Sequence, residues 1–440
     1  MLLRLAAAAA IFGLCTAATL AEGPYEPAWA VQSGRDVYDI AARVAIDGAG
    51  NVGLIGRVSD GYSGLPNDLD VLVEKYDTGG QLLWTRQLGT SVFDGSYSLA
   101  FDPAGSLYVG GGTDGRLGYS HVGGRDAFLT KYDSDGTLQW TRQFGTSASD
   151  SISGVAVDAG GNVIVAGSTG GTIGDVSAGG SDLFLASYDG DGSLQWMRQV
   201  GTPSDEIGAV MRLDAAGNIY VFGQCDDNAD RTVGLSSDCD FLAKYDPVGT
   251  LQWRLDFDHA SFGEGARMAV DAAGYAWITG VANTAIAQPY GGGSDAFVSR
   301  YSPDGEWLWT RLWGTELAEM ALSVVPDDSG GAYLCGLADG NPDPELTWRA
   351  FFAKCDAEGN WLWSSMLDPG ETVWSDVALD AEGDLLLTGF SCESLFATNP
   401  NPGWGDVIVA KYTAPEPGVL ALLAIGTAAM LSLRYPARAR

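Results

Sequence analysis

The sequence predicts an all-β fold, a seven-bladed β-propeller built from four-stranded antiparallel blades. Three observations predict it. Glycine supplies 61 of 440 residues, about twice the usual share, while aromatics stand at 10 % and charged residues at only 18 %. That mixture suits a core-forming chain dense in turns and excludes a coiled coil, a disordered chain or a collagen. Next, Trp29, Trp84, Trp140, Trp196, Trp253, Trp309 and Trp363 recur at intervals of 55, 56, 56, 57, 56 and 54. Asp47, Asp102, Asp158, Asp214, Asp271, Asp327 and Asp380 keep almost the same spacing, and self-similarity at a fixed period marks a repeat architecture. Finally, each unit holds only short apolar stretches between Gly/Asp turns, with no room for a helix of ordinary length.

The third unit justifies its elements in order. Residues 154–158 (GVAVD) read as a first strand, and Ala159-Gly160-Gly161-Asn162 as its turn. Residues 162–167 (NVIVAG) form the second strand, and a long loop runs on to Asp182. LFLASYD (183–189) is the third strand, Gly190-Asp191-Gly192 the next turn, and SLQWMRQV (193–200) the fourth. β-Branched and aromatic residues between tight turns are strand and hairpin signals. Radial repetition of such blades leaves only short, protected edges. The body opens with Ala28-Trp29-Ala30-Val31-Gln32, which matches a fourth strand, and finishes with residues 406–413 (DVIVAKYT), which match a third. The N-terminal strand is therefore expected to complete the last blade and close a ring spanning residues 22–413.

Both ends read as addresses. In residues 1–21 Arg4 is the only charge, residues 5–14 are apolar, and Thr19-Leu20-Ala21 offers a small-residue cleavage site. That is the pattern of an export signal peptide. Near the C-terminus an apolar stretch covers residues 418–433, about 24 Å as a helix and just short of the usual membrane span. Arg434, Arg438 and Arg440 follow it, and positive charge at the end of a span stays on the cytoplasmic side. Pro415-Glu416-Pro417 directly precedes it. This three-part order over residues 414–440 resembles the PEP-CTERM sorting signal of Gram-negative bacteria that make exopolysaccharide. The resemblance implies an exosortase-type processing enzyme as partner. It also implies a precursor anchored in the inner membrane by that helix alone, then release to the cell surface or matrix.

Within the body, DAFLTKYDSDGTLQWTRQFGT (126–146) followed by GVAVDAGGNVIVAGST (154–169) resembles the SBBP family of bacterial β-propeller repeats. All seven units match to some degree, and units six and seven are degraded. Arg349 stands where the other units carry Asp, and Cys355 replaces the tyrosine before Asp356. The family implies the fold and a surface or secreted setting, and no enzymatic activity.

A residue needed in every blade is expected to hold a blade rather than perform one reaction. The recurring tryptophans are read as packing on the neighbouring blade, with sugar stacking as the functional alternative. The Asp residues of the first turn, and Asp133, Asp189, Asp246 and Asp356 of the second, are read as turn formers that accept backbone N–H groups. The short turns emerge on one face of the disc, and the long second connection and the blade links on the other. Binding is expected on the latter face. Each blade link also carries an acid 7 to 9 residues before its marker Asp: Asp39, Asp94, Asp150, Glu206, Glu264, Glu319 and Glu371. Seven carboxylates near the channel mouth would repel one another unless each binds backbone donors of its own link, or together they hold a cation such as Ca2+. No other cofactor is expected.

Enzyme signatures are missing from the sequence. His121 and His259 sit in no motif, and no GxSxG, HExxH or phosphate-cradling loop occurs. Cys225 and Cys239 flank the long loop of the fourth unit and are the pair expected to form a disulfide. Cys335 and Cys355 lie on neighbouring strands, and Cys392 is the expected spare thiol. The net charge of −32 argues against a nucleic-acid partner, which needs clustered cations. The expected function is that of an exported, monomeric, non-catalytic binding or scaffold propeller. Its partners would be anionic polysaccharide or envelope proteins. The rival functions are a glycan-active propeller enzyme and a protein–protein adaptor.

Overall fold

The computed structural model describes residues 26–33, 40–59, 69–118, 121–226, 239–258, 267–282, 293–314, 318–339, 348–366, 372–391 and 406–413. They form seven four-stranded antiparallel sheets, the blades of a β-propeller, and contain no helix. The first strand, β1 (Glu26–Ser33), belongs to the last blade. Blade one is β2 (Ile40–Ile46), β3 (Val52–Ser59), β4 (Leu69–Tyr76) and β5 (Leu82–Leu88). Blade two is β6 (Asp94–Phe101), β7 (Leu107–Thr113), β8 (Asp126–Tyr132) and β9 (Leu138–Phe144). Blade three is β10 (Asp150–Val157), β11 (Val163–Thr169), β12 (Asp182–Tyr188) and β13 (Leu194–Val200). Blade four is β14 (Asp205–Leu213), β15 (Ile219–Asp226), β16 (Cys239–Tyr245) and β17 (Leu251–Asp258). Blade five is β18 (Arg267–Val270), β19 (Ala276–Ala282), β20 (Asp295–Tyr301) and β21 (Trp307–Trp313). Blade six is β22 (Glu319–Pro326), β23 (Ala332–Asp339), β24 (Trp348–Cys355) and β25 (Trp361–Met366). Blade seven is β26 (Thr372–Leu379), β27 (Leu385–Ser391), β28 (Asp406–Thr413) and the returning β1.

Ring closure is visible in the register. In blades one to six the pairing of third with fourth strand skips one residue just before the tryptophan, for instance between Lys131↔Trp140 and Tyr132↔Leu138. The β1–β28 pair skips in the same place, between Lys411↔Trp29 and Tyr412↔Pro27. The N-terminal strand is thus a fourth strand in detail, and closure relieves β28 of an open edge.

Two layers of alternation fill the gaps between blades. The second and third strands are buried on both faces, as in β7 and β12, so they read as near-continuous apolar runs. Fourth strands start exposed and turn inward at the tryptophan. Each core cluster draws residues from adjacent blades: Val163, Val165 and Phe184 of blade three pack with Tyr108 and Leu129 of blade two.

The first strands of blades one to four, six and seven begin earlier than the sequence suggests. β10 starts at Asp150 rather than Gly154, because a β-bulge between Ile152 and Gly154 lets the chain keep pairing through an irregular stretch. The same bulge recurs in the first strands of blades one, two, four, six and seven. It explains a recurring glycine in the second strand. A Cβ on Gly167 would collide with the Ser151 carbonyl oxygen that the bulge pushes across.

Candidate functional site

The recurring tryptophans clamp one blade to the next. The indole N–H of Trp84 donates to the Ser134 carbonyl at 3.0 Å, that of Trp140 to Gly190 at 3.2 Å, and that of Trp253 to Pro303 at 3.1 Å. Trp309 reaches Ala357 in the same way, at 3.1 Å. Each acceptor lies in the third–fourth turn of the following blade. Two residues after the tryptophan, Arg86 and Arg142 donate from Nε to Gly136 and Gly192 of that same turn at 2.6 and 2.7 Å. Packing is therefore what these rings do.

The turn aspartates are equally occupied. Asp158 Oδ1 accepts the Gly160 and Asn162 amides, both at 2.8 Å, and Oδ2 accepts the Asn162 side chain. In the second turn Asp133 Oδ1 takes the Asp135 and Thr137 amides. First-turn aspartates also pair with a cation from the third strand of their own blade: Asp47 with Lys75 at 2.9 Å, Asp327 with Lys354 at 2.8 Å and Asp380 with Lys411 at 2.6 Å. Burial alone would raise the Asp47 carboxyl. Hydrogen bonds from Lys75, from the Asn51 side chain and from the Asn51 and Ala49 amides outweigh it and hold the group below 3.8.

Of the seven blade-link acids, Asp94, Asp150, Glu206 and Glu319 lie among the described residues; Asp39, Glu264 and Glu371 lie outside them. The four are almost fully buried at the starts of β6, β10, β14 and β22, and none lines the cavity on the ring axis. Three of them tie down the Gly-Thr turn four residues upstream. Asp94 accepts the Thr90 amide at 2.6 Å and its hydroxyl at 2.8 Å. Asp150 takes the Thr146 amide at 2.6 Å together with the Thr169 hydroxyl. Glu206 takes the Thr202 amide at 3.1 Å and its hydroxyl at 2.6 Å. Glu319 donates its own amide to the Ser294 carbonyl at 2.6 Å. Burial pushes the Asp94 and Asp150 carboxyls up, only partly offset by the threonine donors. Among the described residues no group of three or more His, Cys, Asp or Glu side chains is placed to hold a metal ion.

The first strands surround a cavity of about 450 Å³ on the ring axis. The residue just after each bulge, four before the marker Asp, faces this centre in most blades. It is Ser98 in blade two, Val210 in blade four and Ser323 in blade six, but Arg43 in blade one and Asp376 in blade seven. Arg212 adds a second guanidinium from β14, and Arg267 opens β18 at the same level as Arg43. Asp376 joins three blades: it accepts the Ser323 hydroxyl at 2.6 Å, the Val377 amide at 3.1 Å and the Val44 amide at 3.2 Å. Sequence reasoning missed this cluster because its members do not recur. The available signal was three charged residues, Arg43, Arg267 and Asp376, in a column otherwise filled by small or apolar residues.

Cys225 and Cys239 are joined in a disulfide and sit directly opposite each other on β15 and β16, with Cα atoms 5.0 Å apart. Cys335 and Cys355 are free and buried; Cys392 lies outside the described residues. His121 is exposed, with Nε2 2.7 Å from the Gly124 carbonyl oxygen. His259 lies outside the described residues. So do residues 1–21, Pro415-Glu416-Pro417 and the apolar stretch 418–433, and among the described residues no helix is long and apolar enough to cross a membrane.

Comparison with known proteins agrees on the architecture. The family model of the SBBP beta-propeller repeat matches residues 139–175, and with the seven blades it supports a propeller of SBBP type. The regulatory protein FlaEY of Caulobacter vibrioides is 38 % identical over 104 residues, which cover 22 % of this chain and 11 % of that protein. The chain thus spans about a tenth of the curated relative it matches. Among solved structures, the WD40 domain of Neurospora crassa Pan2 is similar over 89 % of this chain and 96 % of its own, with a TM-score of 0.54 and 8 % identity. A protein of unknown function from Dyadobacter fermentans is similar over 89 % and 100 %, with a TM-score of 0.48 and 13 % identity. At 8 % identity the likeness to the WD40 domain is one of fold.

Proposed function

We propose that this chain is an exported β-propeller acting as a non-catalytic binding or scaffold module at the cell surface or in an exopolysaccharide matrix. The observation that carries the reading is where the recurring polar residues are spent. Indoles, turn aspartates and described blade-link acids hold blade to blade and link to blade. What such a ring offers is a stiff frame from which individual loops reach outward, the usual arrangement of a binding scaffold. In blade three the long second connection is itself pinned: the Gln199 side chain accepts the Ile173 amide at 2.7 Å and donates to the Gly171 carbonyl at 2.9 Å. Export rests on the signal-like residues 1–21 and on the PEP-CTERM-like tail, which an exosortase-type enzyme would process. The acidic surface, within a net charge of −32, would be bridged to anionic polysaccharide by divalent cations such as Ca2+.

The test is co-sedimentation of the exported protein with matrix polysaccharide from its producer, with calcium and with EDTA, assaying supernatants for new reducing ends. Calcium-dependent pelleting without new ends is expected. New reducing ends would replace this reading with a glycan-cleaving enzyme. Absence of both would favour a protein–protein adaptor.

A further inference from the structure

The glycine that follows a fourth strand marks a recurring buried acid. A Cβ on Gly89, Gly145, Gly201 or Gly314 would collide with the carboxylate at the start of its own blade's third strand: Asp70, Asp126, Asp182 or Asp295. At Gly145 a second acid, the first residue of the next blade, crowds the same point. That Cβ would lie 2.6 Å from Asp126 Oδ1 and 2.9 Å from Asp150 Oδ2. Two carboxylates therefore meet over one glycine at the seam of blades two and three. Both are withdrawn from water, Asp126 at 0 % exposure and Asp150 at 1 %.

Their hydrogen-bond partners are all neutral. Asp126 Oδ2 accepts the Val122 amide and the Gln143 side chain, both at 2.9 Å. Asp150 accepts the amide and hydroxyl of Thr146 and the Thr169 hydroxyl. Asp126 Oδ1 has no hydrogen-bond partner. A bare carboxylate oxygen, buried beside a second carboxylate, is costly unless a cation joins it. Burial is the main influence raising the Asp150 carboxyl, and the charge of Asp126 adds to it. Elsewhere the chain supplies a cation of its own. At the next seam Arg254 places Nη1 3.4 Å from Glu206 Oε1, and in unit six Arg349 takes the position of Asp126. Arg125, next to Asp126 in sequence, is spent on Asp114 at 2.8 Å.

We infer that Asp126 and Asp150 hold a calcium ion between blades two and three, with the bare Asp126 Oδ1 as one of its ligands. Calcium takes about 6–8 oxygens, from carboxylates, carbonyls and water, in a flexible arrangement. Two carboxylates, with neutral oxygens completing the shell, suit the weak end of its range, Kd of about 0.1–1 mM. The ion would fasten the seam on the long-loop side, opposite the Trp140 clamp on the short-turn side. It lies inside the ring, apart from the surface acids that the polysaccharide reading invokes, so either can fail alone.

The experiment is thermal melting of the full chain in EDTA, in CaCl2 and in MgCl2. Salt of about 150 mM NaCl screens surface charge beyond ~8 Å, and each divalent ion is set several-fold above the expected Kd. Calcium should raise the melting temperature by a few degrees. Magnesium, which dehydrates reluctantly and demands octahedral geometry, should raise it less. Asp126→Asn removes one charge at almost constant shape. In EDTA it should melt at or above wild type, because repulsion of Asp150 is gone; in calcium it should gain less than wild type. An equal calcium gain in the variant overturns the inference, as does a wild-type gain no larger with calcium than with magnesium. If the variant fails to fold, wild-type crystals grown in calcium make the test through the ion's anomalous scattering. A peak within ligand distance of Asp126 Oδ1 and Asp150 is expected. A water there, or the two carboxylates in direct contact through a shared proton, would overturn it.

Discussion

The indole N–H of Trp29 donates to the carbonyl oxygen of Thr78 at 2.9 Å, across 49 residues of sequence. Trp29 belongs to the first strand of the chain yet sits in the last blade, and Thr78 lies in the third–fourth turn of blade one. This contact repeats the blade-to-blade clamp of Trp84, Trp140, Trp253 and Trp309, and it joins the last blade to the first. Replacing Trp29 or Trp84 by Phe keeps the ring and removes the donor. Each should cost about 1 kcal/mol, the net worth of a typical hydrogen bond. Chemical denaturation of the two variants would read it, and equal losses would mean that the closing clamp is as strong as an internal one.

Two glycines with the same backbone separate conformational strain from packing. Gly161 has φ 81° and Gly136 φ 76°, both left-handed. A Cβ on Gly161 would meet nothing within 4 Å, whereas on Gly136 it would lie 2.6 Å from the Trp84 ring. Gly161→Ala should cost about 1 kcal/mol, from the left-handed backbone alone. Gly136→Ala should cost more, about 2–3 kcal/mol, because the indole must move as well. Identical melting points for the two variants would show that the ring does not press on the turn.

The Asp47–Lys75 pair has both side chains only 3 % exposed. Lys75→Met leaves a buried carboxylate without its counter-charge, which should destabilise the protein by about 3 kcal/mol. The double change Asp47→Asn with Lys75→Met should recover part of that loss. A double change that is worse than Lys75→Met would mean that the charge on Asp47 itself holds the turn.

Acidification should act in two stages of opposite sign. Asp94 and Asp150 have folded values raised by burial, so their charge opposes folding at neutral pH and protonation relieves that opposition as pH falls toward 3.8. Asp47 and Asp327 are held below 3.8 by their lysines and turn amides, against the effect of burial. They contribute stability above pH 3.8 that is lost as pH falls through their folded values. The melting temperature should therefore hold or rise slightly from pH 7 to about 5, then collapse below about 4. A steady decline starting from neutral pH would contradict this assignment.

Much of this was legible in one chain because a repeat states its own structure several times. The period of Trp84, Trp140 and Trp196 counted the blades, and the likeness of Ala28–Gln32 to a fourth strand located the closure. The Asp-Gly turns followed from local chemistry, since an Asp side chain reaches amides only two and four residues away. The second-strand glycine was visible as a recurrence, but its cause was not. It answers a bulge in the neighbouring strand, and a register irregularity has no signature in the residues themselves.

The sequence by itself determined the seven blades, their four strands and the pairing of the two ends, because short-range patterning and internal repetition suffice to specify them. Only the tertiary structure decided what meets on the axis. Arg43, Arg212, Arg267 and Asp376 are separated by dozens to hundreds of residues and belong to no motif. They converge because every first strand of the ring faces the same centre. Periodicity records what the blades share, and a cluster built from their differences appears only when the ring is closed.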